Sequence, residues 1–260
     1  MSLDFDNSRL IDSPLSALVW INQSLRSNDS TNSTDADYLL RPVNFMYYEL
    51  ASLTSGLPDD ELFASLNHYL FDTKKFQIAA VPVLLDEILA DRRGCYSAIA
   101  LLYMHLGCRL GLKIDFLRWP NRAILKWECQ GRSRYVNLEE CGRFLTEDEL
   151  LNILNNERKD SIASLSLQES VVQYLTYLSF YYRQYADTDR LHKTFGMILS
   201  FEPDNMRILA ERALLRRDLG LLKDALQDMK RYFSFNEKVN SNSDLALVYE
   251  ELKSRVSPPL

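Results

Sequence analysis

Apolar positions recur along most of this chain with helical spacing. Asp12-Ser13-Pro14 reads as a helix start, with Ser13 as cap and Pro14 at the first helical position. An amphipathic helix then runs to about Arg26. The stretch SNDSTNSTDAD, from Ser27 to Asp37, is a polar loop of turn formers. A second helix is placed at about Val43 to Thr54. A third begins near Pro58-Asp59-Asp60 and carries Leu62, Phe63, Leu66 and Leu70 on one face. The segment VPVLLDEILADRRGCYSAIALLYMHLGCRLGL predicts a short helix from about Val83 to Ala90 and a turn at Arg92-Arg93-Gly94. A longer helix follows from Cys95 to Leu110, apolar nearly all round and so buried on most faces, with Gly111 ending it.

From Lys113 the period changes. KIDFLRWP, AILKWEC and RYVNL alternate, or run in β-formers, and Gln130-Gly131 supplies a hairpin turn between the last two. A small antiparallel sheet of two to four strands is expected. Thr146-Glu147-Asp148-Glu149 matches a capping box and restarts helix, and the remainder reads as helical. There a period of 34 emerges: Leu175 is matched by Leu209, Phe195 by Met229, and Pro203 falls opposite Glu237. Gly220 and Ala225 take the turn and small-residue positions of the second unit. This is the pattern of a degenerate tetratricopeptide pair. Two repeats are fewer than the ~3 that usually stand alone, so they are expected to pack on the preceding domain.

Composition narrows the function. The chain has 260 residues, long enough for one or two domains and a core that needs no staple. With 36 acidic against 30 basic residues, its net charge of −6 disfavours nucleic acid as a partner. No apolar run approaches the ~20 residues of a membrane span. The acidic, polar start MSLDFDNSRL is not a secretory signal. Cys95, Cys108, Cys129 and Cys141 form no CxxC pair, which fits reduced thiols in the cytoplasm. There is no GxxxxGK[ST] or GxGxxG, and Glu139, Glu140, Asp148 and Glu149 lack metal-ligand spacing, reading instead as surface charge and capping. No cofactor or metal is expected.

Four ordered segments, ADRRGCYSAIALLYMHLGCRLGLKI, RWPNRAILKW, RYVNLEECGRFL and the helical tail, resemble the transglutaminase-like proteins of the bacterial SirB family. That family is named from a protein linked to invasion-gene regulation, and it carries tetratricopeptide repeats after its core. The resemblance implies a mainly helical α+β fold with a papain-like core. It implies three parts: an N-terminal helix and loop (1–40), a transglutaminase-like domain (41–160) and tetratricopeptide-like repeats (161–260). It also implies a Cys–His–Asp triad, with the thiol at a helix N-terminus whose half positive charge lowers its pKa. Cys95 stands at or beside the nucleophile position. The histidine position falls in Pro120-Asn121-Arg122, so Arg122 replaces the base; the acid position falls in Tyr135-Val136-Asn137-Leu138, so Asn137 replaces the carboxylate. Arginine stays protonated and cannot act as a base near neutral pH. His105 is ten residues along the same helix, about 15 Å away. His68 and His192 sit in no motif.

Several residues carry two readings each. Cys95 is either a thiolate held by a nearby arginine and the helix dipole, or a small buried residue. Arg92 and Arg93, ahead of a helix N-terminus, either bind a phosphate or carboxylate or pair with Asp91, Glu87 or Glu128. Tyr174, Tyr177, Tyr181 and Tyr185 share one helix face, which is core or a peptide groove. Arg212, Arg216 and Arg217, with Lys230 and Arg231, either grip an acidic peptide or form a solvated mixed face with Asp218, Asp224 and Asp228. The triad that lacks its base and acid favours a non-enzymatic, regulatory protein that binds protein or peptide partners through the repeats and the degenerate cleft. A cysteine-dependent amide hydrolase or transferase using Cys95 is the alternative.

Overall fold

The computed structural model describes residues 11–26, 35–79, 84–118, 124–153, 163–235 and 244–256. Its compact units are two, one spanning Arg9–Tyr177 and one formed from Leu178 onward, so the division falls inside a helix.

The first unit is built around a buried helix. Four helices precede or flank it: α1 (Pro14–Arg26), α2 (Ala36–Thr54), α3 (Asp59–His68) and α4 (Leu85–Asp91). The central helix is α5 (Tyr96–Arg109), ten of whose fourteen residues are buried, as its all-round apolar sequence requires. It ends in a Schellman motif. Gly111 takes φ +88°, Leu112 N–H reaches the Gly107 carbonyl at 2.9 Å, and Gly111 N–H reaches that of Cys108 at 3.0 Å. Pro14 does open α1, with Ser13 and Ser16 exchanging hydrogen bonds around it. The second helix starts seven residues earlier than expected. Asp35 accepts from Asp37 N–H at 3.0 Å and nucleates it, and Pro42 is carried inside the helix. After α3 the chain widens into a π-helical turn at Tyr69–Thr73, where Lys74 N–H reaches back five residues to the Tyr69 carbonyl at 2.8 Å, and Tyr69, Leu70 and Phe71 are buried. The expected start of α4 near Val83 lies outside the described residues.

One sheet is larger than expected, with five strands rather than two to four. Its order is β6 (Arg143–Phe144), β5 (Arg132–Asn137), β4 (Ile124–Cys129), β3 (Lys113–Leu117) and β7 (Ser164–Leu165), all antiparallel. The two edge strands have two residues each, too short to show an alternation in sequence. β7 interrupts a stretch that reads as helix throughout. A second, parallel ladder pairs β1 (Gln77–Ile78) with β2 (Arg93–Gly94) and brackets α4. The β4–β5 turn is the two-residue type I′ form, with Gln130 at φ 49° and Gly131 at φ 75°. One sheet face packs on α5 and α3: Trp127 is fully buried and stacks on Phe63 with ring centroids 4.4 Å apart. The helix α6 (Glu147–Ile153) begins with the predicted capping box: Thr146 Oγ accepts from Glu149 N–H and Glu149 Oε2 from Thr146 N–H.

Helix α7 (Leu167–Gln184) leads into the second unit, which holds α8 (Thr188–Phe201), α9 (Met206–Asp218), α10 (Leu222–Ser234) and α11 (Asp244–Val256). Connections as short as Leu219-Gly220-Leu221 make neighbours of successive helices. Ala213, Ala225, Leu226, Met229 and Leu252 form the core shared by α9, α10 and α11. Among the described residues no helix is long and apolar enough to cross a membrane.

Candidate functional site

Cys95 is the N-cap of α5, in extended conformation at φ −65° and ψ 157°, and is fully buried. Burial pushes its thiol up to about 12, although the backbone N–H groups of Ala98 and Ser97 at the helix start pull the other way. A proton is therefore held on sulfur at neutral pH. The helix terminus expected to create a thiolate is present, but the low dielectric around it wins. Tyr177 of α7 is half-buried nearby and packs edge-on against Tyr96 at 5.6 Å. Burial, the Cys95 charge and Tyr96 raise the Tyr177 phenol to about 12. One further neighbour escaped the sequence reading. Ser97 Oγ, two residues into α5, is buried and lacks a hydrogen-bond partner among the described residues. Nothing in a lone serine within an apolar helix marks it in sequence.

Of the two positions that the resemblance assigns to base and acid, only Asn137 is among the described residues. Arg122, with Pro120 and Asn121, lies outside the described residues. Asn137 is buried and caps the 3-10 turn Leu138–Glu140, against which α5 packs. Its Oδ1 accepts from Glu139 N–H at 3.0 Å and its Nδ2 donates to Glu140 Oε1 at 2.9 Å. Both ends of the amide are committed to that turn. The histidines are engaged elsewhere or inert. His68 is exposed and pairs with Asp72 at 3.0 Å. His105 is buried on α5, and burial first, then the Arg109 charge, lowers it to about 4. Its Nε2 has no partner among the described residues. His192 accepts at Nε2 from Arg216 Nε at 3.0 Å.

The candidate binding residues separate. Arg92 closes α4 in the left-handed region at φ 55° and is exposed; Arg93 opens β2 and is exposed. Neither makes an ion pair among the described residues. Of the carboxylates expected to pair with them, Glu87 takes Arg26 and Glu128 takes Lys113 and Lys126, which lower the Glu128 carboxyl to about 2. Tyr174 is fully buried core. Tyr181 is half-buried and leans on Tyr185, centroid to centroid 4.3 Å. Arg212 and Arg216 converge on one buried carboxylate. Arg212 donates to both oxygens of Asp228 at 2.9 and 2.7 Å, and Arg216 donates to Oδ2 at 2.7 Å. Asp228 is 4% exposed, so this triad ties α9 to α10 from within. Arg217 turns to Asp218, and Arg231 to Asp204. Among the described residues no cluster of His, Cys, Asp or Glu is arranged to hold a metal ion.

A central helix capped by cysteine and laid on an antiparallel sheet defines the first unit as a transglutaminase-like α+β domain. The family model described as the transglutaminase-like superfamily matches residues 39–185, more than half of the chain. The chain belongs to that superfamily. Among curated proteins it is similar to F-box only protein 21 of Pongo abelii, at 22% identity over 191 residues, covering 66% of this chain and 31% of that protein. The Mus musculus and Homo sapiens proteins of the same name each show 22% identity over 180 residues, 62% of this chain and 28% of theirs. The chain thus spans about three tenths of the length of these relatives. No solved structure gives a significant match.

Proposed function

We propose that this chain is a non-catalytic interaction protein in which the transglutaminase-like domain serves as a scaffold for protein or peptide partners. The observation that carries the reading is the state of Cys95, a buried, protonated thiol, together with an Asn137 amide already spent on capping. An amide-cleaving thiol needs a base within about 3 Å and an accessible sulfur. The reading extends to a SirB-type arrangement, with the helices from α8 onward acting as a short tetratricopeptide-like array. A cytoplasmic setting accords with four free thiols.

The amide hydrolase or transferase reading draws on one specific observation, the N–H groups of Ser97 and Ala98 directed at the Cys95 sulfur. One experiment separates the two. Purified protein is incubated with a glutamine-rich acceptor protein and a fluorescent primary amine, and both amine incorporation and ammonia release are followed. The wild type and Cys95→Ala are expected to be equally silent. Turnover that the wild type shows and Cys95→Ala lacks would overturn the scaffold reading.

A further inference from the structure

Strand β5 is paired with β4 along its whole length, but with β6 only at Val136 and Asn137. Beyond them Leu145 N–H still reaches the Tyr135 carbonyl at 2.9 Å, and the chain then turns away into α6. In an antiparallel ladder, alternate residues present N–H and C=O to the same neighbour. The carbonyls of Asn137 and Tyr135 both point outward, to Gly142 and Leu145. The N–H and C=O of Ser133 therefore point outward too, and no described residue takes them. Beside this open edge lies a cleft of about 390 Å³, lined by Ser133, Arg134, Tyr135, Phe144, Thr146 and Leu150 among others. Natural edges are usually covered, bulged or shortened. This one leaves the Ser133 N–H and C=O open next to a cavity.

Its charge is equally specific. The Arg134 guanidinium is exposed and sits 5.5 Å from the ring centres of Trp127 and Phe144. That platform orients it without neutralising it. Arg132, on the same face of the strand, is exposed as well, and neither arginine meets a carboxylate among the described residues. The third arginine nearby, Arg143, is already held by Glu140 and Glu149. Asp148 is exposed on α6 but does not line the cleft. A second copy of the same edge would bring Arg132 and Arg134 against like charges, which disfavours self-pairing.

We propose that the outer edge of β5 at residues 132–134 takes an extended acidic segment of a partner protein as an added strand, pairing with the Ser133 backbone and placing a carboxylate on Arg134. This rests on the scaffold reading above and gives its partner a chemistry. Main-chain pairing supplies affinity and the arginine supplies selectivity, as in other strand-addition interfaces.

The test uses the full chain and fluorescein-labelled octapeptides of alternating Glu and Thr, or alternating Lys and Thr, read by anisotropy at low salt. The acidic peptide is expected to bind at least about tenfold tighter than the basic one. Arg134→Glu should weaken it about tenfold or more. Ser133→Pro should do the same, because it removes only an N–H that faces away from β4. Should Ser133→Pro not fold, an acidic peptide N-methylated at alternate residues makes the same test on the intact chain and is expected to lose binding. Equal affinity for the two peptides, or Arg134→Glu binding like the wild type, overturns the proposal. So does self-association that Arg134→Glu abolishes, which would assign the edge to a second copy. Amine incorporation dependent on Cys95 would defeat the scaffold reading while leaving the peptide result standing, so the two failures are distinguishable.

Discussion

Alkylation of Cys95 is the sharpest measurement of whether the cleft holds chemistry. With the thiol at about 12, the thiolate fraction at pH 7.5 is about 3 × 10⁻⁵. An ordinary thiol near ~8.5 has about a tenth of its population ionised at that pH. Ionisation alone therefore slows Cys95 about 3,000-fold. A more basic thiolate is a better nucleophile, and a Brønsted slope of ~0.4–0.5 returns about 40-fold. The net expectation is a rate about 100-fold below that of a free thiol, before the cost of exposing a sulfur that is fully buried. The assay is iodoacetamide labelling read by peptide mass spectrometry from pH 7 to 10, with exposed Cys108 and Cys141 as controls in the same sample. The Cys95 rate should climb about tenfold per pH unit through pH 9.5 without levelling. In denaturing urea its lag behind the controls should vanish. A plateau below about pH 8.5, or a rate at pH 7.5 equal to that of Cys108, would refute the reasoning and revive an activated nucleophile.

The same thiol ties stability to pH. Its folded pKa lies above the unfolded ~8.5, so its contribution is intact below that pH and is lost as pH rises toward 12; by pH 10 the loss is about 2 kcal/mol. Between pH 7.5 and 10 the unfolding free energy from urea titration should fall by that much less in Cys95→Ala than in the wild type. Asp228→Ala strands Arg212 and Arg216 side by side and should cost about 3 kcal/mol. Gly142→Ala should cost well over ~1 kcal/mol: its φ is +76°, and a Cβ would stand 1.7 Å from Asn67 Oδ1. A melting temperature unchanged from the wild type would show that the Asn67–Gly142 turn is not held as the structure has it.

Much of the fold was legible along the chain because its signals are local. The Pro14 start, the Thr146 capping box, the type I′ turn at Gln130-Gly131 and the Gly111 stop each depend on a few adjacent residues. The all-apolar run after Cys95 could only be a buried helix. Where the reading slipped, the elements were too short or too dependent on partners. β6 and β7 are pairs of residues made into strands by β5 and β3, and α2 begins at an Asp35 cap that a polar loop concealed.

The candidate site divides along the same line. The position of Cys95 at the N-terminus of the central helix could be read directly from the chain, whereas Arg122 and Asn137 were placed at base and acid positions only by the family resemblance. Folding in three dimensions is what seals Cys95 from water, spends Asn137 on the turn after β5, and turns Arg212 and Arg216 inward to Asp228. It also leaves β5 an open edge beneath Arg134. The reason is physical. Helix caps and turns are settled by neighbours in sequence, whereas a group's charge state and its partners depend on the dielectric and the counter-charges around it. Those come from segments far away along the chain.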